Sequence, residues 1–222
     1  MNFLTSEQVL EKKKPEERVT FLIRHAERRH ILPTDEDYGS KVPLTETGES
    51  QALAAGKEIS RFKASSFFFG ASPVFRCRQT AALVAKACDA EPFSSVEKVV
   101  AFDCLAEFYV SECVDYERHL RAGFYPAICR YLQEGTLAGF LPVREGSEKL
   151  LAFLLENSRA DLNLFCSHDA WIVPFLAHFT GLRFSSQCWM NFLSGAAVLF
   201  DSSKKNVRIF PVKFLGDGFL RF

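Results

Sequence analysis

The sequence predicts an α/β protein whose central sheet is mostly parallel. Four short apolar runs, at residues 19–24, 67–69, 98–102 and 162–166, have the length and composition of buried strands. Segments in which apolar residues recur at helical spacing separate these runs. The first and the last run are each followed within two residues by a histidine. Because ligands of open α/β sheets bind at the carboxyl ends of the strands, the pattern also predicts where a site lies.

The composition indicates one sizeable domain, and we interpret residues 1–222 as a single unit. The chain is 48% hydrophobic and its formal net charge is zero, which argues against a broad nucleic-acid surface. No apolar run approaches the roughly 18 residues that would span a bilayer. The first 18 residues end in a charged run without a preceding apolar stretch, unlike a secretory signal. We therefore expect a cytoplasmic protein with no nucleic-acid and no membrane partner.

Cysteine usage supports the same location. The chain has seven cysteines, an odd number, and no C-x-x-C pair. Several of them lie within apolar runs, so we expect buried, reduced thiols rather than a disulfide framework.

The first half of the chain alternates strands with helices. After the first strand, a loop over 26–43 leads to a helix predicted at 46–61, and Thr45 is the type of residue that caps a helix N-terminus. The second strand ends at a Gly-Ala-Ser-Pro break, and an alanine-rich helix is predicted at 76–90. Arg76 thus lies at a helix N-terminus, where free N–H groups and the helix dipole favour an anion.

The second half is predicted by the same patterns. Helices are expected at 115–133, 145–158 and 171–180, and a hairpin at one edge of the sheet is expected from strands at 195–200 and 207–210. Residues 108–145 are either an insertion that caps a pocket or an ordinary helical layer of the core. The arginine and aromatic residues of this region, Tyr125 among them, either shape that pocket or form a solvated face.

Charged side chains follow all four predicted parallel strands. Arg24 and His25 follow the first, Arg76 the second, Glu107 the third and His168 the fourth. Because the carboxyl ends of parallel strands meet at one edge of a sheet, we expect these groups to converge. Two arginines and two histidines would form a positive pocket suited to a phosphate, and an imidazole that titrates near neutrality can act on it.

Five segments, in this order, resemble the motifs of the histidine phosphatase superfamily, whose fold is the three-layer α/β/α fold of phosphoglycerate mutase. They are Leu22-Ile-Arg-His-Ala-Glu27, Leu44-Thr-Glu-Thr-Gly-Glu-Ser-Gln-Ala52, Ser72-Pro-Val-Phe-Arg-Cys-Arg-Gln-Thr-Ala81, Leu105-Ala-Glu107 and Cys166-Ser-His168. The resemblance covers residues 19 to about 180. Its most specific part is Ser72-Pro73 together with Arg76, Gln79 and Thr80. Ala26 replaces the glycine that usually follows the Arg-His pair, a small change that we expect to be tolerated.

The resemblance implies phosphoryl transfer in two steps, with no metal and no cofactor. His25 matches the nucleophile that becomes phosphohistidine. Arg24, Arg76 and His168 match the groups that bind the phosphoryl oxygens. Glu107 matches the residue that protonates the leaving oxygen in the mutase-like branch of the family.

Physical chemistry agrees with these roles. A nucleophilic imidazole must be neutral, and the nearby arginines should lower the pKa of His25 below its reference value of about 6.5. The same positive groups stabilise the charge on the transferring phosphoryl group. A carboxylic acid that donates a proton near neutral pH must be kept protonated, either by burial or by the charge of the bound phosphate.

A second residue is also a candidate for the proton donor. In the acid-phosphatase branch the donor is an Asp directly after the second histidine, which is Asp169 here, and a second arginine is present, which Arg28 supplies. We favour Glu107, because Leu105-x-Glu107 follows a strand as in the mutase-like branch and because the chain is short. Asp169 would then cap the N-terminus of the following helix.

The sequence therefore predicts a metal-independent phosphomonoester phosphatase that acts on a small-molecule phosphate ester or a phosphoprotein. The alternatives are a phosphoglycerate mutase-type phosphotransferase, a non-catalytic phosphate-binding module, and a metallohydrolase that uses His25, His168 and Asp169. The short chain favours a phosphatase, the intact His25 and Glu107 disfavour a binding module, and the lack of closely spaced ligand pairs disfavours a metal site. The physiological substrate and the oligomeric state do not follow from the sequence.

Overall fold

The computed structural model of the chain describes residues 2–32, 34–113, 118–119 and 123–221. Nine strands occur in these ranges: β1 Leu4–Thr5, β2 Arg18–Arg24, β3 Phe67–Ala71, β4 Val100–Ala101, β5 Leu162–Ser167, β6 Cys188–Met190, β7 Ser194–Phe200, β8 Val207–Lys213 and β9 Phe219–Arg221. Seven of them form one sheet in the order β1-β8-β7-β2-β5-β3-β4, and β6 pairs with β9. β2, β5, β3 and β4 are consecutive parallel neighbours, which confirms the predicted mostly parallel sheet.

Helices cover both faces of this sheet. The described helices are α1 Ser6–Lys12, α2 Glu46–Ser60, α3 Phe75–Ala87, α4 Phe124–Glu134, α5 Val143–Asn157 and α6 Asp169–Thr180, with 3₁₀ turns at Glu36–Gly39 and Asp103–Ala106. The buried side chains of α1, α2 and α3 join one hydrophobic cluster, and those of α4, α5 and α6 join a second. The predicted three-layer α/β/α architecture is therefore confirmed.

The central strand β2 contributes to both clusters. Phe21 and Ile23 are fully buried against the α1–α3 layer, while Leu22 between them is fully buried in the other. Successive side chains of a strand point to opposite faces, so a strand covered on both sides is a continuous apolar run rather than an alternating one. This burial explains why the strand is recognisable in the sequence and why it ends where charged residues begin.

The predicted hairpin forms, but its predicted position at the edge of the sheet is wrong. β7 and β8 pair antiparallel, β7 also pairs with β2, and β1 covers the outer side of β8 in parallel. Gly195 permits the close pairing of β7 with β2, because a Cβ atom there would lie 1.9 Å from the Leu22 carbonyl oxygen. The two-residue β1 carried no sequence signal of its own.

Other elements differ from the prediction in extent. The strand predicted at 98–102 is reduced to Val100–Ala101, since a 3₁₀ turn begins at Asp103. Within the helix predicted at 115–133, residues 118–119 are helical and a second helical stretch runs from Phe124 to Glu134, after Gly123 at φ 111°. Residues 114–117 and 120–122 lie outside the described residues. All seven cysteines are free, but Cys104 and Cys113 are exposed, contrary to expectation. No helix in the described ranges is long and apolar enough to cross a membrane.

Candidate active site

The site lies at the carboxyl ends of three adjacent strands, β2, β5 and β3. Cys166 of β5 pairs with Ile23 of β2 on one side and with Ala71 of β3 on the other, so the three chains leave the sheet at one level. The backbone N–H of His25 donates to the Ser167 carbonyl at 3.1 Å, and that of Ser72 donates to the Cys166 carbonyl at 2.9 Å. These bonds bring the segments that follow each strand side by side.

The hydrogen bonds of His25 select one tautomer of its ring. Nδ1 lies 2.8 Å from the Ala26 carbonyl oxygen, which can only accept, so Nδ1 carries the proton. Arg76 Nε donates to Nε2 at 3.1 Å, so Nε2 carries a lone pair. Burial holds the pKa of His25 well below its usual value, and the positive charges of Arg76, His168 and Arg24 lower it further. The ring is therefore neutral, and Nε2 is its nucleophilic atom.

Arg76 connects both histidines to the loop before α2. Its Nη1 donates to the Gly39 carbonyl at 2.8 Å, and Nη2 lies 3.5 Å from Nδ1 of His168. Nε2 of His168 lies 3.1 Å from the Ser72 hydroxyl, and the His25 and His168 rings are 5.6 Å apart between centroids. The start of α3 therefore positions the guanidinium between the two imidazoles.

Arg24 is fixed on several sides. It donates through Nη1 to the Met190 carbonyl, forms an ion pair through Nη2 with Asp169 at 3.0 Å, and lies 4.2 Å above the Phe192 ring. Its Nε is buried and has no hydrogen-bond partner among the described residues. A buried donor without an acceptor is costly, and a phosphoryl oxygen is an acceptor suited to it.

Asp169 is the ion-pair partner of Arg24 rather than a free carboxylic acid. Its Oδ2 also accepts from Trp189 Nε1 at 2.8 Å, and its Oδ1 accepts from the backbone N–H of Ala170 at 3.1 Å. Burial alone would raise the pKa of Asp169, but the charge of Arg24 and the Trp189 N–H lower it below its usual value. The expected N-cap role is wrong, because the helix begins at Asp169 itself and His168 occupies the cap position.

Glu107 lies at the edge of this group. Its loop is fixed beside β5, because the Leu105 carbonyl accepts from the Ser167 hydroxyl at 2.7 Å and the Ala106 carbonyl accepts from Trp171 Nε1. The Glu107 side chain is exposed, and within the described part of the chain it forms no hydrogen bond with the other predicted site residues. The structure therefore brings Arg24, His25, Arg76 and His168 into contact and leaves Glu107 beside them.

Three further residues border the site. Burial lowers the pKa of Arg28, and the charges of Arg76 and Arg24 lower it further. Its buried Nε has no partner among the described residues. Tyr125 of α4 lies close enough to Arg24 and Arg28 for their charges to act on its hydroxyl. The Phe192 ring is 5.9 Å from that of His25. Phe192 lies in no recognisable motif, so the sequence provided no signal for it.

The remaining motif residues build the loop that holds His25. The Thr80 hydroxyl accepts from the Ala26 N–H at 3.1 Å, and Gln79 accepts from the Leu44 N–H at 2.9 Å. Thr45 caps α2 by accepting from Gly48, as predicted, and donates to the Glu27 carboxylate at 2.9 Å. These groups position the site without facing it.

A comparison with protein-family models agrees with this arrangement of residues. The sequence model described as the histidine phosphatase superfamily (branch 1) matches residues 20–198, well over half of the chain. The chain belongs to the histidine phosphatase superfamily. No curated protein sequence matches it.

Solved structures show the same fold at low identity. A mycobacterial glucosyl-3-phosphoglycerate phosphatase is 16% identical with a TM-score of 0.56, covering 88% of this chain and 98% of its own. A phosphoglycerate mutase from Bacillus anthracis is 15% identical with a TM-score of 0.55, covering 90% and 94%. The protein histidine phosphatase SixA, complexed with tungstate, is 16% identical with a TM-score of 0.51, covering 88% and 97%. This histidine phosphatase superfamily member thus has a phosphoglycerate mutase-like fold.

Within the described ranges, no group of three or more His, Cys, Asp or Glu side chains is placed to hold a metal ion.

Proposed function

We propose that this histidine phosphatase superfamily member hydrolyses phosphomonoesters through a phosphohistidine on His25, without a metal. The observation that carries the proposal is the fixed, neutral tautomer of His25, whose Nε2 lone pair is directed at Arg76 among positively charged groups. A neutral imidazole can attack phosphorus through Nε2 once a bound phosphoryl group takes up the Arg76 N–H in place of that lone pair, and it cannot serve as a protonated acid.

The first step transfers the phosphoryl group to the enzyme. His25 Nε2 forms a bond to phosphorus as the ester P–O bond breaks, and the leaving oxygen takes a proton. Arg24, Arg76 and His168 bind the phosphoryl oxygens, and Arg28 joins them. Positioning and electrostatic stabilisation of this kind supply most of the catalysis in phosphoryl transfer.

We assign the proton donor to Glu107. Asp169 is less suited, because Arg24 and the Trp189 N–H engage the carboxylate and keep it ionised. Glu107 is exposed and forms no hydrogen bond with the other predicted site residues among those described, so its carboxyl is free to approach the leaving oxygen. In the second step the Glu107 carboxylate accepts a proton from water as that water attacks the phosphohistidine, which releases phosphate and restores His25.

The nucleophile is tested with para-nitrophenyl phosphate in the presence of a chelator. We expect wild type to turn over and to form an acid-labile phosphoenzyme, and His25→Ala to lose at least about a thousandfold of the activity. His30→Ala, which removes an exposed histidine of the following loop, is the matched control and should behave as wild type. Turnover by His25→Ala would disprove the assignment. A wild-type phosphoenzyme that passes its phosphoryl group only to phosphoglycerates, and not to water, would identify a mutase.

The proton donor is tested by varying the leaving group. Para-nitrophenolate leaves without a proton, whereas an alkoxide needs one. Glu107→Gln should therefore slow an alkyl phosphate about a hundredfold or more, and para-nitrophenyl phosphate far less. Asp169→Asn should slow both substrates equally, because it disturbs Arg24 and not proton transfer. The reverse result would transfer the role to Asp169.

A further inference from the structure

We infer that Tyr125 determines substrate choice by contacting an aromatic ring of the leaving group, so that the substrates are aryl phosphomonoesters. This inference rests on the proposed function. It concerns the leaving group of the substrate. The residues around the phosphate do not distinguish one leaving group from another.

Tyr125 combines exposure with contact to the site. Tyr125 is 39% exposed. It is one of three large hydrophobic residues that are exposed among those that the structure describes. The charges of Arg24 and Arg28 nevertheless act on its hydroxyl, while burial of the hydroxyl end raises the pKa of Tyr125. The ring lies against Trp189, which bonds to the ion-pair partner of Arg24, and part of its surface is open to solvent. Such a surface is available to a second aromatic ring.

The ring is also rigidly supported. It packs edge-to-face on Trp189, with centroids 5.0 Å apart and an interplanar angle of 86°. Trp189 is buried and bonds to Asp169, which in turn holds Arg24. Three contacts thus connect the Tyr125 ring to a phosphate-binding guanidinium. A substrate held by its phosphate would have its leaving group at a fixed position relative to this ring.

Apart from the unpaired Nε atoms of Arg24 and Arg28 and the exposed Glu107, several polar side chains near the site are already bonded. Both oxygens of Asp169 are bonded, the Ser72 hydroxyl is paired with His168, and the Gln79 side chain is bonded to the Leu44 N–H and to Glu49. A leaving group rich in hydroxyls needs free donors and acceptors, and these described residues offer none. Phe192, packed against His25 and Arg24, adds a further aromatic ring at the site. An aromatic leaving group fits this surface better than a polyol.

Binding of non-hydrolysable phosphonates tests the inference independently of turnover. By calorimetry, we expect wild type to bind phenylphosphonate roughly tenfold more tightly than methylphosphonate or cyclohexylphosphonate, the size-matched ring without π electrons. Tyr125→Ala should abolish this preference, whereas Tyr125→Phe should retain it. Gln133→Ala, an exposed position on the same helix, is the control and should retain it too.

Two outcomes would overturn the inference. Equal binding of the phenyl and cyclohexyl compounds would show that apolar bulk alone is recognised, and an unchanged preference in Tyr125→Ala would show that the ring binds elsewhere. Failure of the proposed function is seen separately, as the absence of both turnover and phosphoenzyme in wild type. Even in that case, calorimetry could still measure which phosphonates the protein prefers.

Discussion

At the scale of single residues, the protonation states in the site depend on burial and on the charges of neighbouring side chains. His25 is neutral because burial and three positive neighbours oppose its protonation. Asp169 is ionised because Arg24 and an indole N–H outweigh burial. The two pKa values are shifted in ways that suit the roles proposed for these residues: a neutral His25 has a lone pair on Nε2, and an ionised Asp169 holds Arg24.

The lowered pKa of His25 predicts an acid-tolerant first step. A histidine with an ordinary pKa of about 6.5 would be roughly three-quarters protonated at about pH 6 and would lose about fourfold in rate. With its pKa well below that value, His25 stays neutral over this range. We expect phosphoenzyme formation from para-nitrophenyl phosphate, measured by rapid quench at saturating substrate, to change less than about twofold between about pH 8 and pH 6. An inflection near 6.5 would contradict the assignment.

The Arg24–Asp169 pair predicts a stability loss with a defined pH dependence. Asp169→Asn leaves a buried guanidinium without its counter-charge, so we expect a loss of about 3 kcal/mol in the free energy of unfolding near neutral pH. Because the folded pKa of Asp169 is below its unfolded value, the contribution of its charge is present above about pH 4 and is lost as the pH falls further.

Urea unfolding of both proteins at several pH values measures this difference. Asp35→Asn is the control, since Asp35 pairs with Arg29 on the surface, where solvent screens the ion pair, and its loss should be much smaller. A difference between wild type and Asp169→Asn that does not shrink in acid would disprove the explanation.

At the scale of elements, the loop that carries His25 is shaped by its contact with α2. The Thr45 N–H donates to the Glu27 carbonyl at 3.1 Å, and Thr45 caps the helix. Gly48 lies so close to the same carbonyl that a Cβ atom would be 2.1 Å from its oxygen. The helix N-terminus and the loop can therefore approach only because residue 48 lacks a side chain.

Gly48→Ala should consequently damage the site as well as the fold. The clash is with backbone, which cannot rotate away, so we expect about 2 kcal/mol of destabilisation and at least a tenfold fall in activity as residues 25–27 are displaced. Gly135→Ala is the matched control: nothing lies within 4 Å of the added carbon, and only its φ of 74° opposes the change. That variant should lose about 1 kcal/mol and no activity. Full activity in Gly48→Ala would show that the loop tolerates the shift.

At the scale of the whole molecule, the site joins parts that lie on opposite faces of the sheet. Arg76 lies in the first turn of α3 in one helical layer, and Asp169 begins α6 in the other. Arg24 ends the strand between them, and His25 follows it. An oxyanion bound there would contact both layers, so its binding should stabilise the folded chain as a unit.

Tungstate, a tetrahedral oxyanion like phosphate, is a suitable probe. At a hundred times its dissociation constant it should raise the free energy of unfolding by about 2.7 kcal/mol, in a single transition. Arg76→Ala should abolish the effect, while His30→Ala should not change it. Thermal unfolding with and without tungstate measures this. Stabilisation that persists in Arg76→Ala would place the oxyanion elsewhere.

Much of this molecule could be predicted from its sequence, because the strands that matter are buried on both faces. Burial on both faces requires continuous apolar runs, and these identified β2, β3 and β5 and the edge where charges converge, whereas the three-layer arrangement was implied by the family resemblance. The edge strand β1 was missed, and β4 is shorter than predicted. Their bounds depend on turns and neighbouring strands, which leave no periodicity in the sequence.

The candidate site, like the fold, was predicted from the sequence only in part. The sequence by itself determined that Arg24, His25, Arg76 and His168 converge, because each directly follows a strand or begins a helix and its position is set by chain order. Only the tertiary structure decided the tautomer of His25, the ionised state of Asp169, the exposure of Glu107 and the presence of Tyr125, Trp189 and Phe192 beside Arg24. These properties arise from hydrogen bonds and packing between residues distant in the chain, and pairings of that kind are not encoded in any local pattern.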